Sequence, residues 1–518
     1  MAGGILQLVA VGIQDNFLTG TPEVTFFKLR YSRYTNFAVE CIENSFNGTA
    51  DLGKTSVTST VSRNGDLMSK VYLRVRLRAQ RTNGQGQFAW VKRVGHALVK
   101  EMKLSIGGST IDKYTGNWQN VKYELARNTS LEDSYNQMIG NTPEMTVLSE
   151  NDKEATLYVP LDFFFTNNYG SALPLVAMQY HEVQFQAAFE SAEKLLCRTS
   201  DCQVDARIVD ATLLINYIYL DTAERKEFAK NTHEMLIEQV QVPGEDTINE
   251  THKKIRLTFN HPTKFVCWSQ RMGKYQSSEE FLAWHPTDHA AMKLQAAKMV
   301  WLLGHEWTKT EQGWVKGEPH NSWCSCNDFD AQSEWESVVP AFVYPDGPQE
   351  DPLHAIQPVG DKWRALTTDA MSMTWDEWGC PERWGWVNQH LVKVNDPTNY
   401  GVYLDGSLNP LESANIQLNG SDRFSPRDAN YFNYVQPYES AKATPCPGVN
   451  LYSFALKPFE VQPSGTINFS RVDFSQLTLR LRPEARRHMK HDSVLNLYAC
   501  NYNVLRCMSG MAGIAFSN

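Results

Sequence analysis

The chain has 518 residues, 42% apolar and 21% charged, with 24 Phe, 21 Tyr and 14 Trp; it is too long for one core and suits roughly two to four domains. That composition excludes a disordered or fibrous chain, and no stretch reaches the ~20 continuous apolar residues of a membrane span. The formal net charge of −9 is concentrated, since residues 275–411 carry 20 Asp/Glu against 8 Lys/Arg and the remainder 38 against 41, so the body lacks the basic stripe of a nucleic-acid binder.

In chain order, residues 1–25 read as an N-terminal arm. Met1–Ala10 is apolar but has no basic flank and runs into Gln14 and Asp15, which suits a buried or docking arm rather than a secretory signal. Residues 26–220 read as a first antiparallel sandwich. In Val71–Arg78, Leu73, Val75 and Leu77 share one face and three arginines share the other, the period of a strand with one buried side. Val183, Phe185, Ala187 and Phe189 repeat the pattern.

Residues 221–238 read as a helical linker, with Asp221 as cap and Lys226 and Lys230 following. Residues 239–518 read as a second sandwich, with strands at Ile255–Phe259 and Leu477–Leu481. The acidic segment 275–411 reads as one large mixed insertion into it. It holds 11 of the 14 tryptophans and six histidines, and its length requires internal structure. Thr287–Leu303 reads as a helix within it, and Trp and Tyr supply a satellite core.

Three short echoes occur in the same order in both halves. Lys103–Ser109 (KLSIGGS) resembles Ile416–Ser421 (IQLNGS), Leu157–Leu161 (LYVPL) resembles Leu451–Leu456 (LYSFAL), and the alternating strand at Phe185 resembles that at Leu479. Their common order predicts a duplicated domain.

No constellation carries strong chemistry. His320, Cys324 and Cys326, with Cys380 or His390, are zinc-type ligands, but gaps of three and one lack the paired spacing of a zinc site. His285 and His289 stand four apart without HExxH, and Pro286 interrupts a helix there. His181-Glu182 reads as a structural hydrogen-bonded pair opening a strand. Glu279-Glu280 and Asp376-Glu377 are read as solvated charges rather than a glycosidase pair. Neither a nucleophile elbow nor a phosphate loop is present. No catalytic, cofactor-binding or metal residue is therefore assigned, no cofactor is expected, and the ten cysteines, without framework spacing, read as free thiols.

Several segments resemble a known family. They include Gly3–Val9 (GGILQLV), Phe17–Gly20 (FLTG), Asn64–Leu67 (NGDL), Ile106–Asp112 (IGGSTID), Leu173–Val183 (LPLVAMQYHEV) and Tyr219–Asp221 (YLD). The second half adds Leu418–Phe424 (LNGSDRF), Gln462–Gly465 (QPSG), Asn468–Arg471 (NFSR), Asn501–Arg506 (NYNVLR) and Ser509–Met511 (SGM). Over roughly 3–274 and 412–518 the chain is similar to major capsid proteins of nucleocytoplasmic large DNA viruses.

The resemblance implies an all-β double jelly roll, two tandem eight-stranded antiparallel rolls, and a non-enzymatic late protein of the virion. It implies homotrimeric capsomers of pseudo-hexagonal outline tiling an icosahedral shell, assembled in the host cytoplasm. Expected partners are neighbouring capsomers, minor capsid proteins and a penton protein. An internal membrane is expected nearby without a span. The near-neutral body argues against direct nucleic-acid binding, and segment 275–411, which departs from the shorter family pattern, is expected by its acidic charge to face outward towards the host surface. The rival reading is a jelly-roll lectin or carbohydrate-active protein.

Overall fold

The computed structural model describes residues 3–15, 19–29, 31–83, 88–147, 149–198, 202–248, 250–271, 399–402, 408–483, 485 and 493–516, with five short strands between 308 and 364. The first half contains β1 (Phe37–Ser45), β2 (Val57–Thr60), β3 (Leu67–Asn83), β4 (Phe88–Trp90), β5 (Val99–Ile106), β6 (Ser109–Tyr114), β7 (Lys153–Pro160), β8 (Val183–Phe189), β9 (Leu196–Arg198) and β10 (Gln203–Leu220). Eight of these form two antiparallel sheets, ordered β1-β10-β3-β7 and β2-β8-β5-β6, while β4 and β9 pair apart. Each sheet interleaves strands remote in sequence, the winding of a jelly roll.

Alternation decides the layers. Leu73, Val75, Leu77 and Ala79 of β3 are fully buried, as are Phe185 and Ala187 of β8. Arg74 and Arg76 point outward, where Arg74 pairs with Glu43 at 2.7 Å and Asp210 at 3.3 Å, and Arg76 pairs with Glu154. A one-residue slip would exchange those faces and bury guanidinium groups in the core.

A helix, Thr222–Lys230, joins the rolls. It lies within the 221–238 stretch read as linker, and β11 (His233–Gln241) follows it, pairing with the C-terminal strand from His233. The first strand of the first roll starts at Phe37.

The second half continues with β12 (Glu245–Thr247), β13 (His252–Arg256) and β14 (Pro262–Arg271). Within the insertion, β15 (Thr308–Thr310) pairs with β16 (Gly313–Val315), and β17 (Trp323–Cys324) and β18 (Gln357–Val359) flank β19 (Lys362–Arg364). Then come β20 (Leu411–Leu418), β21 (Ser421–Asp422), β22 (Arg427–Asp428), β23 (Val449–Ser453), β24 (Ile467–Asn468), β25 (Ser475–Leu481), β26 (Val494–Met508) and β27 (Met511–Ile514). The two sheets run β11-β26-β14-β23 and β13-β25-β20-β21. Strand for strand, this repeats the order of the first roll, with the insertion between the strands equivalent to β3 and β5. The helix expected at Thr287–Leu303 lies outside the described residues.

The three echoes fall at equivalent places. The first pair forms the β5–β6 and β20–β21 hairpins, the second the strands β7 and β23, and the third β8 and β25. Both hairpins close over two residues: Gly107 and Gly108 have φ of 57° and 81°, Asn419 and Gly420 of 49° and 80°. Two successive positive φ values make the hairpin turn whose twist matches its strands, and Gly and Asn tolerate it best.

Candidate assembly interface

Two kinds of surface define what this chain can do: the seam where its rolls meet, and the faces it leaves uncovered. The seam forms because the segment after β6 folds as a helix, Gly116–Ala126, whose start is capped by the Thr115 hydroxyl accepting from the Trp118 amide. That helix lies on the outward face of the second roll's sheet. Trp118, 1% exposed, packs against Tyr498 with ring centroids 5.2 Å apart and Phe265 at 6.3 Å. Cys267 and Cys500 are buried on the same face.

A polar relay crosses the apolar contact. Asn120 donates to the Tyr400 hydroxyl at 3.1 Å, Tyr400 donates to Asn117 at 2.5 Å, and Asn117 donates to the Tyr498 hydroxyl at 2.6 Å. These directional bonds set the register of the rolls, which apolar packing alone would leave free to slide. The helix end is held too, because the Lys442 and Ala443 amides donate to the Leu125 carbonyl at 3.0 and 3.1 Å. Glu124, 3% exposed, takes Arg93 on one oxygen and Arg127, at 3.3 Å, and the Cys446 amide on the other. A buried carboxylate survives only with such partners.

Two titratable groups are sealed beside this seam. Asp112 accepts from its neighbour Lys113 at 2.9 Å and from Val240 of the second roll at 3.2 Å, and burial pushes its carboxyl up to about 8. His96 shares a 2.7 Å bond with the Tyr135 hydroxyl; burial, then the nearby Arg93 charge, lowers it to about 3.

Several family-like motifs meet in a second knot. Tyr180 donates its amide to the Gly510 carbonyl at 2.9 Å, and His181 Nδ1 meets the backbone of Ala512, 2.9 Å from its carbonyl oxygen and 3.2 Å from its amide nitrogen. The expected His181-Glu182 pair is thus replaced by a bond from His181 to the C-terminal hairpin, because β27 reaches across the first roll. A Cβ on Gly107 would lie 2.6 Å from the His181 ring, and one on Gly510 would lie 2.5 Å from the Tyr180 ring. Arg63 ties the loop by donating to the carbonyls of Met178, Gln179 and His181 at 3.0, 2.5 and 3.1 Å.

The uncovered surface begins with the arm. Leu8, Val24, Phe26, Phe27, Tyr31 and Tyr34 are each more than 75% exposed. Apolar side chains so exposed form a larger patch than a solitary soluble chain usually shows. Among the described residues no group of three or more His, Cys, Asp or Glu is placed to hold a metal ion. His285, His289, His320, Cys326, Cys380, His390, Glu279-Glu280 and Asp376-Glu377 lie outside the described residues, and Cys324 is described only as part of β17. The seam residues Asn117, Trp118, Asn120 and Tyr400 escaped sequence reasoning. Their one signal was Trp118, one of only three tryptophans outside the insertion.

Comparison with known proteins converges on one family. The family model described as large eukaryotic DNA virus major capsid protein matches residues 224–513, and that for the major capsid protein N-terminus matches residues 25–221. Capsid protein 1 of Acanthamoeba polyphaga mimivirus is 35% identical with all of both chains covered, as is the major capsid protein of Phaeocystis pouchetii virus. The crystal structure of PBCV-1 VP54, fitted into a reconstruction of the virophage Sputnik, superposes with a TM-score of 0.62 at 30% identity, covering 95% of this chain and 100% of that one. The chain therefore belongs to the major capsid protein family of large eukaryotic DNA viruses, and its place is the virion shell.

Proposed function

We propose that three copies of this chain form one capsomer of pseudo-hexagonal outline, and that such capsomers tile an icosahedral shell. The observation that carries this reading is the duplicated strand order: two rolls, locked at one seam, give each copy two similar corners, so three copies supply six. A threefold contact is heterologous and closes into a ring. An obligate contact of this kind buries on the order of 2,000 Å² or more. The chain works by shape alone and performs no catalysis.

The exposed apolar arm supports a place on the inner side of the shell, against minor capsid proteins near an internal membrane. The acidic insertion forms the outer crown, where its charge keeps the capsomer soluble. The near-neutral body leaves nucleic acid uncontacted, and penton proteins and neighbouring capsomers complete the partners of an assembly made in the host cytoplasm. Sedimentation and negative-stain images of the purified chain test the trimer; a stable monomer at micromolar concentration would refute it. Deleting residues 2–20 is expected to leave trimers but impair shells, and normal shells would exclude the arm's role.

A further inference from the structure

The seam inside the chain is a pattern with unmatched ends. Within it, the segment following β6 of the first roll covers the outward face of the second roll's sheet β11-β26-β14-β23. The equivalent segment of the second roll, following β21, contains the π-helix Tyr431–Val435 and the helix Gln436–Ser440. Here Tyr434, Val435 and Tyr438 are 45%, 42% and 90% exposed. Among the described residues, the equivalent sheet of the first roll, β1-β10-β3-β7, is covered on its outward face only at the Leu67 and Ile218 end, by Ala172 and Phe228, and Val39 and Cys41 of β1 are exposed.

We propose that a second copy of the chain joins these ends: Tyr434, Val435 and Tyr438 of one copy seat on the outward face of β1, β10 and β3 of the next. The contact between copies thereby repeats the seam within each copy. This inference rests on the trimer reading and deepens it by naming the surfaces that meet.

The chemistry of the two faces differs in the sense this requires. The face covered within the chain is apolar, with Phe265, Cys267, Tyr498 and Cys500 buried, because folding itself hides it. The face left for a second copy must stay soluble until that copy arrives, and it is ion-paired through Glu43, Arg74 and Asp210. Tyrosine suits such a face: its ring stacks on guanidinium planes while its hydroxyl reaches carboxylates. Tyr and Arg are also the residues enriched where interfaces concentrate their energy.

The test uses the full-length chain. Sedimentation across the micromolar range is compared for the wild type and a Tyr434→Asp/Tyr438→Asp variant. The variant's trimer is expected to dissociate at least ~10-fold more readily, with the far-ultraviolet dichroism unchanged because neither side chain is buried within its own copy. Separately, Tyr438→Cys is treated with a short bismaleimide; a covalent ladder of dimer and trimer is expected, and Cys41→Ser should abolish it. A wild-type monomer would overturn the trimer reading and this contact with it. A wild-type trimer that the aspartates leave intact, or a ladder indifferent to Cys41, would overturn the contact alone.

Discussion

Replacing Trp118 by Ala measures how strongly the seam holds the rolls. Trp118 is 1% exposed and touches Phe265 and Tyr498 of the second roll. Its indole nitrogen has no hydrogen-bond partner among the described residues, so truncation removes packing and little else. Large-to-small changes at such a site cost about 3–5 kcal/mol, through lost transfer energy and the cavity left behind. With an unfolding entropy of about 2.1 cal/mol/K per residue, a cooperative chain of 518 residues would melt roughly 4 °C lower. The assay is calorimetry at one fixed protein concentration, because oligomerisation shifts the midpoint by mass action. A shift below about 1 °C would refute the argument that Trp118 anchors one roll on the other.

Three further outcomes follow from single sites. Asp112 has its carboxyl raised to about 8 from an ordinary 3.8, so between those values the folded chain holds the extra proton and stability falls as pH rises through them; Asp112→Asn keeps an acceptor for both amides and should flatten urea midpoints between about pH 5 and pH 8. His96 acts with the opposite sign: lowered to about 3 from 6.5, it favours the unfolded chain as pH drops through that window, and His96→Phe should reduce the acid-side loss in the same titration. Gly116→Ala places a Cβ 2.0 Å from the His96 carbonyl oxygen and should abolish soluble expression, whereas Gly108→Ala meets nothing within 4 Å and should cost only roughly 1–2 kcal/mol for its left-handed backbone, read by denaturant melts.

Much of the architecture was legible because a strand's period of two is written locally. Leu73, Val75 and Leu77 announce a buried face wherever they sit, and the Gly107-Gly108 and Asn419-Gly420 pairs announce their own turns. The duplicated order of motifs carried the two rolls, and short motifs in fixed succession carried the family. Boundaries were less legible. His233–Glu238 follows the linker helix directly, yet β26, more than 260 residues away, takes it into a sheet.

What tertiary structure alone decided is where remote segments meet. Nothing local to Asn117, Tyr400 and Tyr498 signals that they share one hydrogen-bonded relay. Nor does His181 reveal locally that it waits for Ala512 rather than Glu182. Periodicity reports which face of an element avoids water, whereas the partner on that face is selected by how the winding of two rolls brings distant chain together. The sequence by itself thus determined the building block, and the winding decided the seam that makes the block rigid.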